Sequence, residues 1–306
     1  MTKIIVGVDE SERSMDAVAL AARLTRGWDA EFVLVCAYPY DDTPGRGAHT
    51  GYREYLREDA LAVLGRAADA IPEARDVQRR AVPEISPARA IQEIAAQERA
   101  SLIVIGSSHR GGVGRVLAGT TAERLLHGAP CPVAVAPSGY AKAAGGPIAT
   151  IAVGFDGSPE SEAALSGAVT LARSLGGRLQ VIQVLDVTWI GSPALMQGPG
   201  FVMQPDDLEE RARRHVAERV AHLPDDVAAQ PQVLTGEPEP LLAEQSEHAD
   251  LFVVGSRGYG PHRAVLLGSV SGRLVRDATC PVLVVPRGIE APLEELFAAT
   301  SGAQPA

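Results

Sequence analysis

The chain has 306 residues, enough for two domains of ordinary size, and 46% of them are hydrophobic, enough to fill real cores, so disorder as the main state is excluded. Lysine and arginine number 28 against 38 aspartates and glutamates, and the net charge of −10 leaves no bulk field to draw in DNA or an anionic membrane. Three cysteines with no CxxC suit neither a disulfide scaffold nor a zinc site, and no apolar run approaches the ~18 residues of a membrane span. The expectation is a cytoplasmic protein with no export signal over residues 1–10, and with neither nucleic acid nor membrane as partner.

In chain order, apolar runs at 3–9, 31–38, about 77–82, 101–106 and 132–137 lack polar alternation, as strands buried on both faces of a parallel sheet do. Helical patterns separate them: 14–26, a stripe of Leu56, Ala60, Leu64, Ala67 and Ile71, then 87–98 and 122–127. Residues 138–147 are mostly small and glycine-rich, the composition of an exposed linker. The pattern then starts again. Ile4-Ile5-Val6-Gly7-Val8-Asp9-Glu10-Ser11 returns 147 residues later as Ile151-Ala152-Val153-Gly154-Phe155-Asp156-Gly157-Ser158. Leu102 to Ser107 returns as Leu251 to Ser256, and Cys131 to Pro137 as Cys280 to Pro286, both at an offset of 149. The chain is a tandem duplication, and Leu208, Ala212, Val216, Val220 and Leu223 form the second helical stripe of its second half.

Alternating strands and helices with right-handed crossovers predict an α/β fold: two tandem doubly wound sheets, each of five parallel strands in the order 3-2-1-4-5, flanked by helices. The expected domains are 1–140 and 147–288, with 289–306 as a loosely ordered tail. Such sheets bind ligands outside the carboxyl ends of their strands, which singles out the residues after strands one and four of each half.

After strand four of the second half comes Gly255-Ser256-Arg257-Gly258, nine further residues, then Gly268-Ser269 and a helix. Glycines let backbone N–H groups approach phosphate oxygens, and a helix start favours negative charge. Ser269 is placed to cap that helix or to donate its hydroxyl to the same phosphate. The loop carries Arg257, His262 and Arg263 and no acid, a local reversal of sign in an acidic chain. Asp9 and Asp156 follow strand one of each half, where helix capping is the competing reading. Cys131 and Cys280, each before a proline, read as small buried hydrophobes. His109 and His262 lack a second ligand at metal spacing, and Arg211 to Arg214 lie among acids on a solvated helix face.

GxxG, nine residues and G(S/T), following VGxDxS by about a hundred residues and ending in CPVxVxP, resembles the universal stress protein family, twice over nearly the whole chain. The resemblance implies ATP as ligand, with or without magnesium. Its phosphates would lie on the loop and its adenosine beside the aspartate after strand one. Carried over position by position, this implies Asp156, Gly255, Gly258, Gly268 and Ser269 in the second half, with Arg257 beside them. In the first half it implies Asp9, Gly106, Gly119 and Thr120. The first loop departs from the pattern, because His109 stands where the second glycine should be. A side chain there crowds the phosphate path, so the second half is expected to hold ATP at least as tightly as the first. The implied role is regulatory: a nucleotide held rather than turned over in a stress response, with no catalytic residues and no protein metal site. Cyclic AMP binding, slow ATP hydrolysis and a docking module with vestigial sites stay open as alternatives. The resemblance further implies a homodimer or an intramolecular pseudo-dimer through the terminal strands.

Overall fold

A computed structural model of the chain describes residues 2–40, 50–71, 76–107, 120–143, 145–186, 205–256 and 269–286. The strands of the first half are β1 (Thr2–Gly7), β2 (Ala30–Tyr38), β3 (Val77–Pro83), β4 (Leu102–Gly106) and β5 (Val133–Ala136). Those of the second half are β6 (Thr150–Gly154), β7 (Arg178–Leu185), β8 (Ala229–Thr235), β9 (Leu251–Gly255) and β10 (Val282–Val285). Within each half every pairing is parallel and the order is 3-2-1-4-5, as expected.

The halves meet edge to edge. β5 and β10 pair antiparallel, Val135 opposite Val282, Ala134 opposite Leu283 and Val133 opposite Val284, giving one ten-stranded sheet. Both are short all-apolar strands with every residue buried, so leaving either edge in water would expose backbone and side chains together. Because the junction is antiparallel, the carboxyl ends of β1 and β4 point to one end of the sheet and those of β6 and β9 to the opposite end.

The helices are α1 (Arg13–Leu24), α2 (Thr50–Asp69), α3 (Pro87–Gln97), α4 (Thr120–Leu126), α5 (Tyr140–Ala143), α6 (Pro159–Leu175), α7 (Pro205–Ala221), α8 (Pro238–Gln245) and α9 (Ser269–Asp277). On one face, α1, α2, α6 and α7 cover a core that includes Ile4, Val6, Leu20, Leu64, Leu165 and Val216. On the other, α3, α4, α8 and α9 cover Ile5, Ile91, Leu125, Phe252 and Leu274. Each core runs through both halves. Of the second helical stripes, Ala60, Leu64, Ala67, Ile71, Ala212 and Val216 are buried, as a 3.6-residue apolar period requires. Arg213 and Arg214 instead pair with Glu209 and Glu210 one turn earlier on an exposed face of α7.

Most described residues of the stretch between the halves are exposed, as its composition predicts, but the stretch is anchored at one point. It contains α5, and Tyr140 is only 7% exposed. Asp16 on α1 accepts the N–H groups of Gly139 and Ala141, and Arg23 donates to the Tyr140 hydroxyl and, at 2.9 Å, to the carbonyl of Gly146. Burial pushes the Tyr140 hydroxyl up to about 12. A buried carboxylate and one aromatic ring outweigh the flexibility of the surrounding glycines and alanines, and composition alone does not register them.

Among the described residues, no helix is long and apolar enough to cross a membrane. The expected tail 289–306 lies outside the described residues.

Candidate functional site

Each half turns sharply after its first strand. In the first half the Asp9 carboxylate accepts the Ser11 N–H at 2.9 Å, the Ser11 hydroxyl, and the Ser14 hydroxyl at 2.9 Å. In the second, Asp156 accepts the Ser158 N–H at 3.0 Å and the Ser158 hydroxyl. Neither aspartate is the N-cap of its helix. Ser158 caps α6, accepting the Ser161 N–H at 3.2 Å ahead of Pro159, and Glu12 occupies the corresponding position before α1. The aspartates bind the turn that brings the helix start beside the strand ends.

Gly106 and Gly255 close the other side. A Cβ on Gly106 would lie 2.4 Å from the carbonyl oxygen of Arg13, and one on Gly255 would lie 2.5 Å from that of Glu160. Arg13 and Glu160 are repeat-related, 147 residues apart, so in both halves the helix backbone rests directly on the glycine that ends strand four. Glycine is required here by strand–helix packing before any ligand is considered.

These contacts leave a cavity in each half. The first, about 220 Å³, is lined by Asp9, Arg13 and Ser14, by Ile91, Ile105 and Ser107, and by the start of α4. The second, about 330 Å³, lies among Asp156, Glu160, Asp186 and Glu239, with Ile182, Leu242 and Val254 as apolar wall and Ser269 at the start of α9. Asp9 and Gly106 therefore come together, as do Asp156, Gly255 and Ser269. Thr120 begins α4, while Gly119, Arg257, Gly258 and Gly268 lie outside the described residues, as do His109 and His262.

Two residues that are not among the positions carried over from the family pattern also line the first cavity. Ser107 is 6% exposed and its hydroxyl has no hydrogen-bond partner among the described residues, although its N–H is satisfied by the carbonyl of Ala136 at 3.0 Å. Arg13 is half-buried and has no carboxylate partner among the described residues. Only the register of β4 against α1 places them together. In sequence they are an ordinary serine and an ordinary surface arginine.

A further hollow of about 500 Å³ adjoins Asp9 on the side of α2, between Cys36, Leu56, Asp59 and Val63. There Asp59 hydrogen-bonds Glu10 and holds its carboxyl above the usual carboxylate range. In the second half His215 packs beside Phe155, with ring centroids 5.9 Å apart, and against Gly157. Cys36, Cys131 and Cys280 are all free and buried. Burial pushes the thiols up, Cys36 to about 11 and Cys131 to about 12, so none is a ready nucleophile.

Comparison with known proteins agrees with this architecture. The model of the Universal stress protein family matches residues 1–137 and again 147–286. A universal stress protein of Mycolicibacterium smegmatis is 36% identical over 293 residues, covering 92% of this chain and 96% of the relative. A universal stress protein of Mycobacterium tuberculosis is 30% identical over 301 residues, covering 92% of this chain and 94% of the relative. Among solved structures, a universal stress protein from Archaeoglobus fulgidus shares the fold with a TM-score of 0.69 at 21% identity, over 94% of this chain and 98% of that one. The chain belongs to the universal stress protein family, as a tandem member with two copies of its domain.

Proposed function

We propose that the chain is an adenine-nucleotide-binding regulatory protein of the stress response, in which ATP is held rather than turned over. The observation that carries this reading is the buried Ser107 hydroxyl, which has no partner among the described residues and lies in a cavity at the carboxyl ends of β1 and β4. A buried hydroxyl without a hydrogen bond is costly, and a ligand oxygen would satisfy it. The cavity lies where doubly wound sheets take their ligands, and its repeat lies at the equivalent place in the second half. Apolar side chains such as Ile91, Ile105, Ile182 and Val254 suit the body of a nucleoside.

Retention without turnover follows from what the aspartates do. Asp9 is engaged by Ser11 and Ser14, and Asp156 by Ser158, which suits a turn and not a base poised over water. Hydroxyl and amide donors that hold ground state and transition state alike do not speed hydrolysis. The β5–β10 pairing supports the intramolecular pseudo-dimer as the assembly, because the edges that would join two chains are already paired within one. Three buried thiols suit a reducing compartment, the cytoplasm.

The test is titration of the purified protein with ATP, ADP and cyclic AMP, with assay of co-purified nucleotide and released product. Saturable ATP binding with no multiple turnover is expected. Cyclic AMP binding in preference to ATP, or product release of several turnovers per second lost in a Ser269→Ala variant, overturns it.

A further inference from the structure

The hollow of about 500 Å³ between the end of β2 and α2 takes no part in the nucleotide site proposed above. Its lining includes an apolar set in which Cys36 and Val63 are buried and Leu56 is half-buried. It also includes Glu10 and Asp59, two exposed carboxyls hydrogen-bonded to each other. Carboxyls this close share a proton or repel, and a cation set between them relieves both conditions. Neither has an ion-pair partner among the described residues, and the charge of Arg66 reaches Glu10 only through space. Asp9 borders the same hollow but is engaged by the turn.

A second observation comes from Tyr38, which lines the hollow and is 5% exposed, yet whose hydroxyl has no hydrogen-bond partner among the described residues. Buried tyrosines usually satisfy that hydroxyl, so an acceptor is left for whatever enters. Among the described residues, no three histidines, cysteines or acids are placed to hold a metal ion, so the cation that fits is organic. The repeat supplies a control. Matching the stripes of α2 and α7, Ala60 to Ala212 and Leu64 to Val216, sets Arg211 at the place of Asp59 and His215 at that of Val63, while Gly157 stands for Glu10. Both acids are gone there, and the His215 ring packs against Gly157.

We propose that the hollow of the first half is a site for an alkylammonium ion. Its carbon chain lies on Cys36, Leu56 and Val63, and its ammonium donates to Glu10, Asp59 and the Tyr38 hydroxyl, three acceptors for three N–H groups. Tyr52 and Tyr55, 57% and 65% exposed, stand one turn before Leu56 and Asp59 on α2 and offer aromatic surface that attracts a cation on its way in.

Methyl NMR of the full chain, labelled at leucine and valine, reads the hollow through Leu56 and Val63. At constant ionic strength n-butylammonium should shift these signals saturably, and n-butanol, of the same carbon body without the charge, should not. Nα-acetyl-lysine methylamide presents the same group as a protein side chain would, and whichever of the two amines saturates at lower concentration names the source. Glu10→Gln, Asp59→Asn and Tyr38→Phe should each weaken the response about two- to fivefold. Val63→His, which copies the second half, should abolish it as read at Leu56. Glu10 and Asp59 are exposed, so their variants keep the fold, which unchanged methyl signals elsewhere will verify. Equal saturation by n-butanol, an unaltered curve in the double variant Glu10→Gln and Asp59→Asn, or no response to either amine overturns the site.

Discussion

The carboxylate of Asp16, buried on α1, accepts the N–H of Gly139 at 2.9 Å with one oxygen and that of Ala141 at 2.8 Å with the other. It thereby holds the start of α5 and fixes where the second half begins. Asp16→Ala strips two backbone donors of a charged acceptor and should lower stability by about 2 to 4 kcal/mol in denaturant unfolding. Asp16→Asn, which keeps one acceptor oxygen, should lose less. Limited proteolysis should find 138–147 resistant in the parent chain and cleavable in Asp16→Ala.

Gly255→Ala should destabilise the second half by more than the usual ~1 to 3 kcal/mol of overpacking, because the new methyl meets backbone at Glu160 that cannot rotate away. Loss of binding in that variant would report on folding. Ser269 is exposed, so Ser269→Ala should stay within about 0.5 kcal/mol of the parent in stability and isolate the ligand effect.

The sheet end at Lys3 predicts a pH dependence. Lys3 donates to Glu98 at 2.6 Å and Arg80 donates to its other oxygen at 2.9 Å, and this holds the Glu98 carboxyl below the usual carboxylate range. A depressed folded-state value stabilises the fold above the unfolded value of about 4.3, and the gain is lost as pH falls through the lower folded value. Thermal melts of Glu98→Gln against the parent should show a deficit at pH 7 that closes under acid conditions. Salt should reduce it as well, since the network is partly exposed.

The pair Glu10 and Asp59 has the opposite sign. Asp59 raises the Glu10 carboxyl, so the folded state holds a proton there more firmly than the unfolded chain does and gains stability as pH falls through the raised value. At neutral pH the pair repels. Asp59→Asn should therefore raise the melting temperature at pH 7, with the gain vanishing below the usual carboxylate range, where the parent pair is protonated. A melt series across pH 3 to 8 checks it.

Much of this molecule is written in local pattern. Unbroken apolar runs such as Ile4 to Val6 and Ile103 to Ile105 mark strands with both faces buried, and the return of Gly7, Asp9 and Ser11 as Gly154, Asp156 and Ser158 marks two copies of one domain. The strand order within each half follows from crossover handedness, and the placing of Asp9 beside Gly106 follows from that order. Composition reads 138–147 as exposed, which most of its described residues are, but it does not register the anchor that Tyr140 and the distant Asp16 form there. Tertiary structure alone decided three further matters: the antiparallel seating of Val135 against Val282, the pressing of Arg13 and Glu160 onto Gly106 and Gly255, and the isolation of the Ser107 hydroxyl. The reason is the same in each case. These relations join residues that stand far apart in the chain, and their energies depend on angstrom-scale approach and on which neighbours exclude water. A one-dimensional pattern of residue types records neither.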